Sequence, residues 1–330
     1  MSPRQLVTLG MFIIDEFVYS DEDGRPTGRT LPPQAGHSFG ASLYLLLTSS
    51  IVPRSALLPP HAVGMIVDRG ADFPAEIESQ LVAYGKDMWL FRDHSGQTTR
   101  ALNSYKGDHR GFEYLTPRIR LTPLDLKDTA FANPRSLHFI CSPSRASVIV
   151  SEIKTIDGWS PTTIYEPIPY AHRPATSPNA EEALSLLSIP LPTTKPKIEE
   201  ACARFLEIGV GPGRDGWVIV RSGALGAYVA SANRKGEWIS AFWEDEQKVV
   251  DVTGAGNGFL GGLAAGLALT EGDVFAAAFY GTVSASFIIE QQGLPHISQS
   301  LNATEPVEHW NNDYPTHRLQ ELKRRHAKYT

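Results

Sequence analysis

The chain has 330 residues, 42% hydrophobic and 20% charged, which supplies a large core and excludes a wholly disordered polymer. Thirty basic against 36 acidic residues leave a net charge of −6, and outside the last dozen residues no basic cluster offers a surface for nucleic acid. Two cysteines, Cys141 and Cys202, cannot build a disulfide framework, and no apolar run approaches the ~18 residues of a membrane span.

The opening MSPRQLVTLGMFIIDEF lacks a secretory pattern, because its short apolar piece runs into Asp15 and Glu16; an intracellular, cytoplasmic protein is expected. That piece predicts a first buried strand, Leu6 to Ile14. Residues 20–33 are polar and rich in Gly and Pro, the composition of a loop or projecting hairpin. After AGHSFG at 35–40, Ala41 to Leu47 predicts a buried helix. VGMIV at 63–67 reads as a buried parallel strand, and Glu76 to Tyr84 as a helix through Ile77, Leu81 and Tyr84. Between 89 and 115, β-prone pieces at 89–92, 97–103 and 112–115 are separated by Ser-Gly and Lys-Gly-Asp, which predicts a small antiparallel sheet. Together with the earlier loop it would form a lid, from about residues 16–35 and 88–117, inserted into a single α/β domain spanning 1–330.

From residue 136 strands and helices alternate. Ser136 to Ile140, Thr162 to Tyr165 and Gly216 to Val220 are expected parallel strands, with helices at 145–154, 180–187 and 197–207 between them. Such alternation points to an open, mostly parallel sheet covered on both faces. The tail, His317 to Lys328, predicts a solvated basic helix.

The segment richest in chemistry is Val249 to Leu269, VVDVTGAGNGFLGGLAAGLAL. An apolar strand end leads through Asp251 and Thr253 into Gly254-Ala255-Gly256 and then a helix dense in Gly, Ala and Leu. Glycines at such a turn let backbone N–H groups approach an anion, and the helix dipole adds positive potential there. A tight turn feeding a close-packed helix explains the same residues without a ligand, so both readings stand on this segment alone.

Across residues 6 to 296 the chain resembles the ribokinase (PfkB) carbohydrate-kinase family. The turn resembles that family's Asp-Thr-x-Gly-Ala-Gly-Asp signature. Gly10 to Asp15 resemble its first strand with a substrate-binding aspartate, and Gly64 to Phe73 resemble its Gly-x-x-Gly-x-Asp-x-Phe segment loosely. Ser177 to Glu182 resemble its Asn-x-x-Glu element, Arg221 to Ala227 its Thr-x-Gly-x-x-Gly turn, and Glu290 to Pro295 its closing helix end. The resemblance implies a three-layer α/β/α sandwich with a small β-sheet lid, and ATP-dependent phosphorylation of a hydroxyl on a sugar-like or other small metabolite. It implies ATP and Mg²⁺ as cofactors, a small-molecule substrate without nucleic acid or membrane, and a homodimer formed through the lid.

By the same resemblance Gly254, Ala255 and Gly256 form an anion hole, and Asn257 occupies the position of the catalytic base. Asp15, Gly36, His37 and Arg100 would bind substrate. Asn179, Glu182, Arg221, Gly223, Gly226 and Thr253 would bind nucleotide, Glu182 also organising Mg²⁺ indirectly. Glu166, in Tyr165-Glu-Pro-Ile-Pro169, takes the place of an Asp-Pro-Asn turn beside the phosphates or simply stabilises a turn. Each has a plain alternative: a strand-end acid for Asp15, a loop histidine for His37, a solvated sheet residue for Arg100, a helix cap for Asn179 and Glu182.

Two positions depart from the family pattern. Asn257 stands where the signature has aspartate, and a carboxamide cannot take a proton at neutral pH. Ala35-Gly-His-Ser-Phe-Gly40 lacks the family's Gly-Gly-x-x-x-Asn, which holds sugar hydroxyls. Three functions therefore remain in play: a kinase that tolerates asparagine, a nucleotide- or ligand-binding protein without turnover, and an enzyme of this fold with other chemistry.

Overall fold

The computed structural model describes residues 4–21, 23, 25–28, 34–35, 59–106, 109–167, 177–252, 254–291, 295–300 and 307–328. The expected helix at 41–47 lies outside them. Five parallel strands form the central sheet: β1 (Leu6–Thr8), β4 (Val63–Arg69), β5 (Trp89–Asp93), β8 (Ser136–Cys141) and β9 (Thr162–Pro167), in the order β5-β4-β1-β8-β9. Alternate side chains go to opposite faces. Leu6, Met65, Val67 and Ile164 join one buried cluster, whereas Val7, Ile66, Leu137 and Phe139 join another. The second face is covered by α2 (Pro143–Ile153), through Ile149 and Ile153.

Beyond β9 comes an antiparallel set, β10 (Trp217–Arg221), β11 (Ala227–Ser231) and β12 (Arg234–Ile239). The stretch Gly216 to Val220, read as a parallel strand, thus pairs antiparallel with β11; its parallel contact is the isolated bridge from Arg221 to Asn179. One face of these strands (Ile219, Val229, Ile239) joins the cluster of the central helices. The other (Val218, Val220, Ala230) packs on α3 (Ala180–Leu186) and α4 (Lys195–Ile208). The result is a sheet layer between two helical layers.

The central helices are α5 (Ala255–Leu269) and α6 (Val274–Ile288), apolar around their whole circumference and buried. Asp273 caps α6, its carboxylate accepting from the N–H groups of Phe275 and Ala276. Gly258, Gly262 and Gly266 recur every fourth residue on α5, placing one glycine per turn on a single face. A methyl group there would meet Ile288, Ser284 and the Tyr280 carbonyl, and Ala277, respectively. The glycines let the helix backbones approach, so the packing reading of this run holds for its body.

The small sheet contains β2 (Ile14–Ser20), β3 (Gln34–Ala35), β6 (Arg100–Lys106) and β7 (His109–Tyr114), ordered β3-β2-β6-β7. It is mixed: β2 pairs parallel with β6, while the outer pairs are antiparallel. Residues 89–92, read as lid, belong instead to β5 at the edge of the central sheet, because Trp89 is buried against α1 (Ala75–Ala83) and donates to the Leu81 carbonyl. The expected strand Leu6 to Ile14 is split: β1 ends at Thr8 and β2 begins at Ile14.

A C-terminal addition, β13 (Ile297–Ser300), β14 (Val307–Trp310) and α7 (Pro315–His326), packs on α6. It is held by Arg318, 2% exposed, which bonds Glu290 at 2.8 Å, Asp313 at 2.9 Å and Ser286 at 3.0 Å and lies 3.6 Å over the Phe287 ring. Among the described residues no helix is long and apolar enough to cross a membrane.

The glycine face of α5 sets a stability test. Gly262→Ala gains helix propensity of about 1 kcal/mol, but its methyl presses on the Tyr280 backbone carbonyl, which cannot step aside as a side-chain end can. Overpacking of this kind costs about 1–3 kcal/mol, so urea unfolding is expected to show a net loss.

Candidate functional site

The site lies where β9, β10 and α5 converge, at the carboxyl ends of strands, where open α/β sheets bind ligands. Gly254 opens α5 in a left-handed conformation (φ 84°), which glycine adopts without strain. The Ala255 N–H donates to the Val252 carbonyl at 3.1 Å, closing the turn, and the Gly258 N–H donates to the Gly254 carbonyl at 2.8 Å. Ala255 and Gly256, in the first turn of α5, line the cleft. Asn257, half-buried, is the third residue of the helix.

Opposite this turn is Arg221, the last residue of β10. Its side chain is 10% exposed. Nη2 donates to Glu166 Oε1 at 3.0 Å and to the Ser177 carbonyl at 2.9 Å. Nη1 reaches Gly256 so closely that a Cβ there would collide with it. Nε is buried without a hydrogen-bond partner. The guanidinium is thus held through Nη2, with Nη1 turned toward the helix terminus.

Glu166, near the end of β9, is buried. Burial, the largest single influence, would raise its pKa, but Arg221 and His138 together outweigh it and hold the carboxyl below the ordinary glutamate range. Behind it stands His138 of β8, fully buried, with Nε2 3.8 Å from Glu166 Oε2. That separation is an approach rather than a hydrogen bond. Its Nδ1 lies 2.9 Å from the Thr8 hydroxyl, which also accepts from the Gly10 N–H at 2.9 Å. A buried polar row therefore crosses four strands from Thr8 to Arg221.

Asn179 and Glu182 form a reciprocal cap on α3, each backbone N–H donating to the other's side chain at 2.9 Å. Burial pushes the Glu182 carboxyl up, while the bond from the Asn179 N–H and the Arg221 charge pull it back. The turn of Gly223 and Gly226 follows β10; Gly226 (φ 92°) lets the Ser222 N–H reach its carbonyl at 2.7 Å.

A cavity of about 790 Å³ runs from this anion-facing end. Asn179, Arg221, Gly223, Gly226, Ala255 and Gly256, all named from sequence, line it. Phe242, Trp243, Val249, Val252 and Phe259 give it an apolar wall, which Glu244, Asp245 and Glu246 continue with three acidic residues. Phe242 and Trp243 meet edge-on at 4.8 Å, and Arg318 lies 5.1 Å from the Trp243 ring. The indole Nε1 is buried without a partner, leaving one donor for a bound ligand. These aromatic walls and the polar row through His138 and Thr8 were not picked out from sequence; Phe242-Trp243 ahead of Glu244-Asp245-Glu246 was the available signal.

The remaining candidates lie elsewhere. Asp15 is buried in the small sheet, where Asn103 Nδ2 donates to its Oδ1 at 2.8 Å. Arg100 is neither solvated nor open: it pairs with Asp72 at 2.9 Å and Glu16 at 3.1 Å, tying the small sheet to the loop after β4. Gly36, His37 and Thr253 fall outside the described residues.

The cavity thus combines apolar walls, Arg221 at one end and a run of three acidic residues. Magnesium requires oxygen ligands with free lone pairs. Glu166 Oε1 is paired with Arg221 while its Oε2 is buried without a partner, Glu182 is engaged in its cap through one oxygen, and among the described residues no trio of His, Cys, Asp or Glu could hold a metal by itself. Among the described residues no all-protein magnesium cage is formed; a magnesium ion here would be held by one or two carboxylates together with phosphate oxygens.

A sheet between two helical layers, with a glycine turn opening a buried helix at the strand ends, defines a ribokinase-like α/β/α protein. Ribokinase from Giardia lamblia superposes with a TM-score of 0.65 at 17% identity, covering 88% of this chain and 95% of that one. Ribokinase from Arabidopsis thaliana, solved with ribose and ATP, gives a TM-score of 0.61 at 19% identity, covering 89% and 94%. Residues 162–300 match the pfkB family carbohydrate kinases. Protein MAK32 of Saccharomyces cerevisiae is 32% identical over 323 residues, covering 88% of this chain and 85% of that protein. The chain belongs to the PfkB family, as a divergent member with asparagine at 257.

The buried pair has a pH signature. Because the folded pKa of Glu166 is depressed, its stabilisation is complete above the unfolded value of about 4.3 and is lost as pH falls through the folded value. Glu166→Gln is expected to cost about 3 kcal/mol at pH 7, since it leaves Arg221 buried without a counter-charge. Its stability should then fall less steeply on acidification than that of the wild type. Urea midpoints between pH 3 and 7 check this; parallel profiles for the two proteins would contradict the assignment.

Proposed function

We propose that the chain binds a nucleoside triphosphate in the 790 Å³ cavity and transfers its terminal phosphoryl group to a hydroxyl of a small, sugar-like metabolite. One observation carries the reading: the apolar cavity ends at the N-terminus of α5, where Arg221 and Gly256 converge. Phe242, Trp243 and Val252 offer flat and apolar surfaces for a base, and the unpaired Trp243 Nε1 offers it a donor.

At the other end, the amide of Gly256 and the Arg221 guanidinium meet the charge of the phosphoryl oxygens. Phosphoryl transfer rests mainly on such positioning and electrostatic stabilisation. Asn257 orients the attacking hydroxyl through its Oδ1 but does not accept the proton. General-base catalysis is worth about 10²- to 10⁴-fold, so turnover is slow. The substitution also supports a second reading, a nucleotide-binding protein in which turnover is absent.

Titration calorimetry with ATP and phosphotransfer assays over a panel of sugars and polyols separate the two. ATP binding is expected in the wild type, and Asn257→Asp is expected to raise phosphotransfer by about 10²-fold or more. Binding without any gain of transfer in the aspartate variant favours the non-catalytic reading. Absence of nucleotide binding in both proteins overturns the proposal.

A further inference from the structure

β12 ends at Ile239, and the segment after it carries Phe242 and Trp243 onto the cavity wall. That segment is gripped from outside by α7, a helix C-terminal to residues 162–300, the part of the chain that matches the family. Arg325 Nη2 donates to the Phe242 carbonyl at 2.8 Å, and its guanidinium lies 4.8 Å from the centre of the Phe242 ring. The Arg318 guanidinium lies 5.2 Å from the same ring and 5.1 Å from that of Trp243. A cation near the face of an aromatic ring is attracted by the ring's quadrupole, most strongly where water is excluded.

Arg318 is itself immobilised. Glu290 at 2.8 Å, Asp313 at 2.9 Å and the Ser286 hydroxyl at 3.0 Å engage all three of its nitrogens. Glu290 is held in turn, its second oxygen accepting from Asn311 Nδ2 at 2.7 Å. Ser286, on α6, also lines the cavity. One side chain of α7 thus reaches a cavity-lining residue of α6 and both aromatic residues of the wall.

We infer that Arg318 and Arg325 are positioning residues for this aromatic wall, so that recognition of the ligand's flat, apolar part depends on a helix beyond the family match, while recognition of its anionic part does not. The inference rests on the nucleotide reading of the cavity and deepens it. The two ends of the cavity are built by different elements. Arg221 closes β10 and is bonded to Glu166 and the Ser177 carbonyl, and Gly256 belongs to α5; none of these contacts involves α7. Phe242 and Trp243, by contrast, are set from α7. Aromatic rings fixed before the ligand arrives spare it the cost of ordering them. A helix that merely stabilised the fold would weaken every ligand alike.

The test measures binding of ADP and of sodium tripolyphosphate by titration calorimetry in MgCl₂, with thermal unfolding run on each protein. The full-length proteins are wild type, Arg325→Ala, Arg325→Lys, Arg318→Lys, Trp243→Leu and the double variant Arg325→Ala with Trp243→Leu. Arg325→Ala is expected to weaken ADP by about 3- to 10-fold, the scale of one hydrogen bond, and to leave tripolyphosphate within about twofold of wild type. Arg325→Lys should recover part of the loss, because an ammonium group still donates to the Phe242 carbonyl. Arg318→Lys gives up the planar fork and should weaken ADP at least as much. The Arg325 side chain is 25% exposed, so its variants keep the test open where Arg318→Lys fails to fold.

Once Trp243→Leu has removed the indole, adding Arg325→Ala should weaken ADP by no more than about twofold, since residues acting through a common group are not additive. Equal weakening of both probes in a folded variant, full additivity in the double variant, or no effect of any α7 variant on ADP overturns the inference and leaves the nucleotide reading standing. If wild type binds ADP and not tripolyphosphate, additivity in the double variant alone decides. Wild type that does not bind ADP overturns the nucleotide reading and the inference with it.

Discussion

The ion pair between Glu166 and Arg221 joins parts of the molecule that the chain builds separately. Glu166 ends the last strand of the parallel sheet, and Arg221 ends the first strand of the antiparallel set, 55 residues later. The same guanidinium takes the Ser177 carbonyl just before α3, and the backbone at Arg221 bridges to Asn179. Taking two charges out of water is costly and is repaid only with good geometry and further hydrogen bonds. Those bonds are supplied by elements whose positions the pair in turn fixes. The pair is therefore a poor source of net stability and a strong source of register, aligning two sheets so that their strand ends share one cleft.

The second constraint is the close approach of α5 and α6. Gly258, Gly262 and Gly266 allow it, and the line of α5 decides where its N-terminus points. The Val250 and Asp251 N–H groups both donate to the Ile289 carbonyl at the end of α6, so the segment entering the glycine turn is anchored to the partner helix. Packing in the middle of the molecule and anion geometry at its edge are consequently one structural problem. At the far side, Arg318 of α7 stacks near Phe242 and Trp243 while bonding Glu290, which makes the C-terminal addition a support for the cavity wall.

Much of this was readable from residue order. Apolar runs such as VGMIV and SLHFI declare buried strands whatever their neighbours, and the Gly-Ala-Gly turn declares itself through φ requirements that few residues meet. Strand partners were less legible. Residues 89–92 have the same β-prone composition as a lid strand, and only the burial of Trp89 against Leu81 sends them to the parallel sheet. Gly216 to Val220 looks like any buried parallel strand, because an apolar run carries no record of direction. The role of Arg221 was least legible of all: its meaning lies in contacts with Glu166, Ser177 and Gly256, distant in sequence and adjacent only after folding.

Asparagine at 257 and arginine at 221 shift the site's electrostatics in one direction. Relative to the family pattern, the first removes a negative charge beside the phosphate path and the second adds a positive one. Both changes favour a bound polyanion in its ground state. Only interactions stronger in the transition state than in the ground state accelerate chemistry, and a guanidinium fixed by Glu166 before ligand arrival attracts substrate and product phosphates as well as the species between them. Loss of the proton acceptor lowers the rate of the chemical step, and the added cation slows departure of whatever anion results. Under the proposed function, the two substitutions together weigh against rapid turnover and toward prolonged occupancy of the cleft.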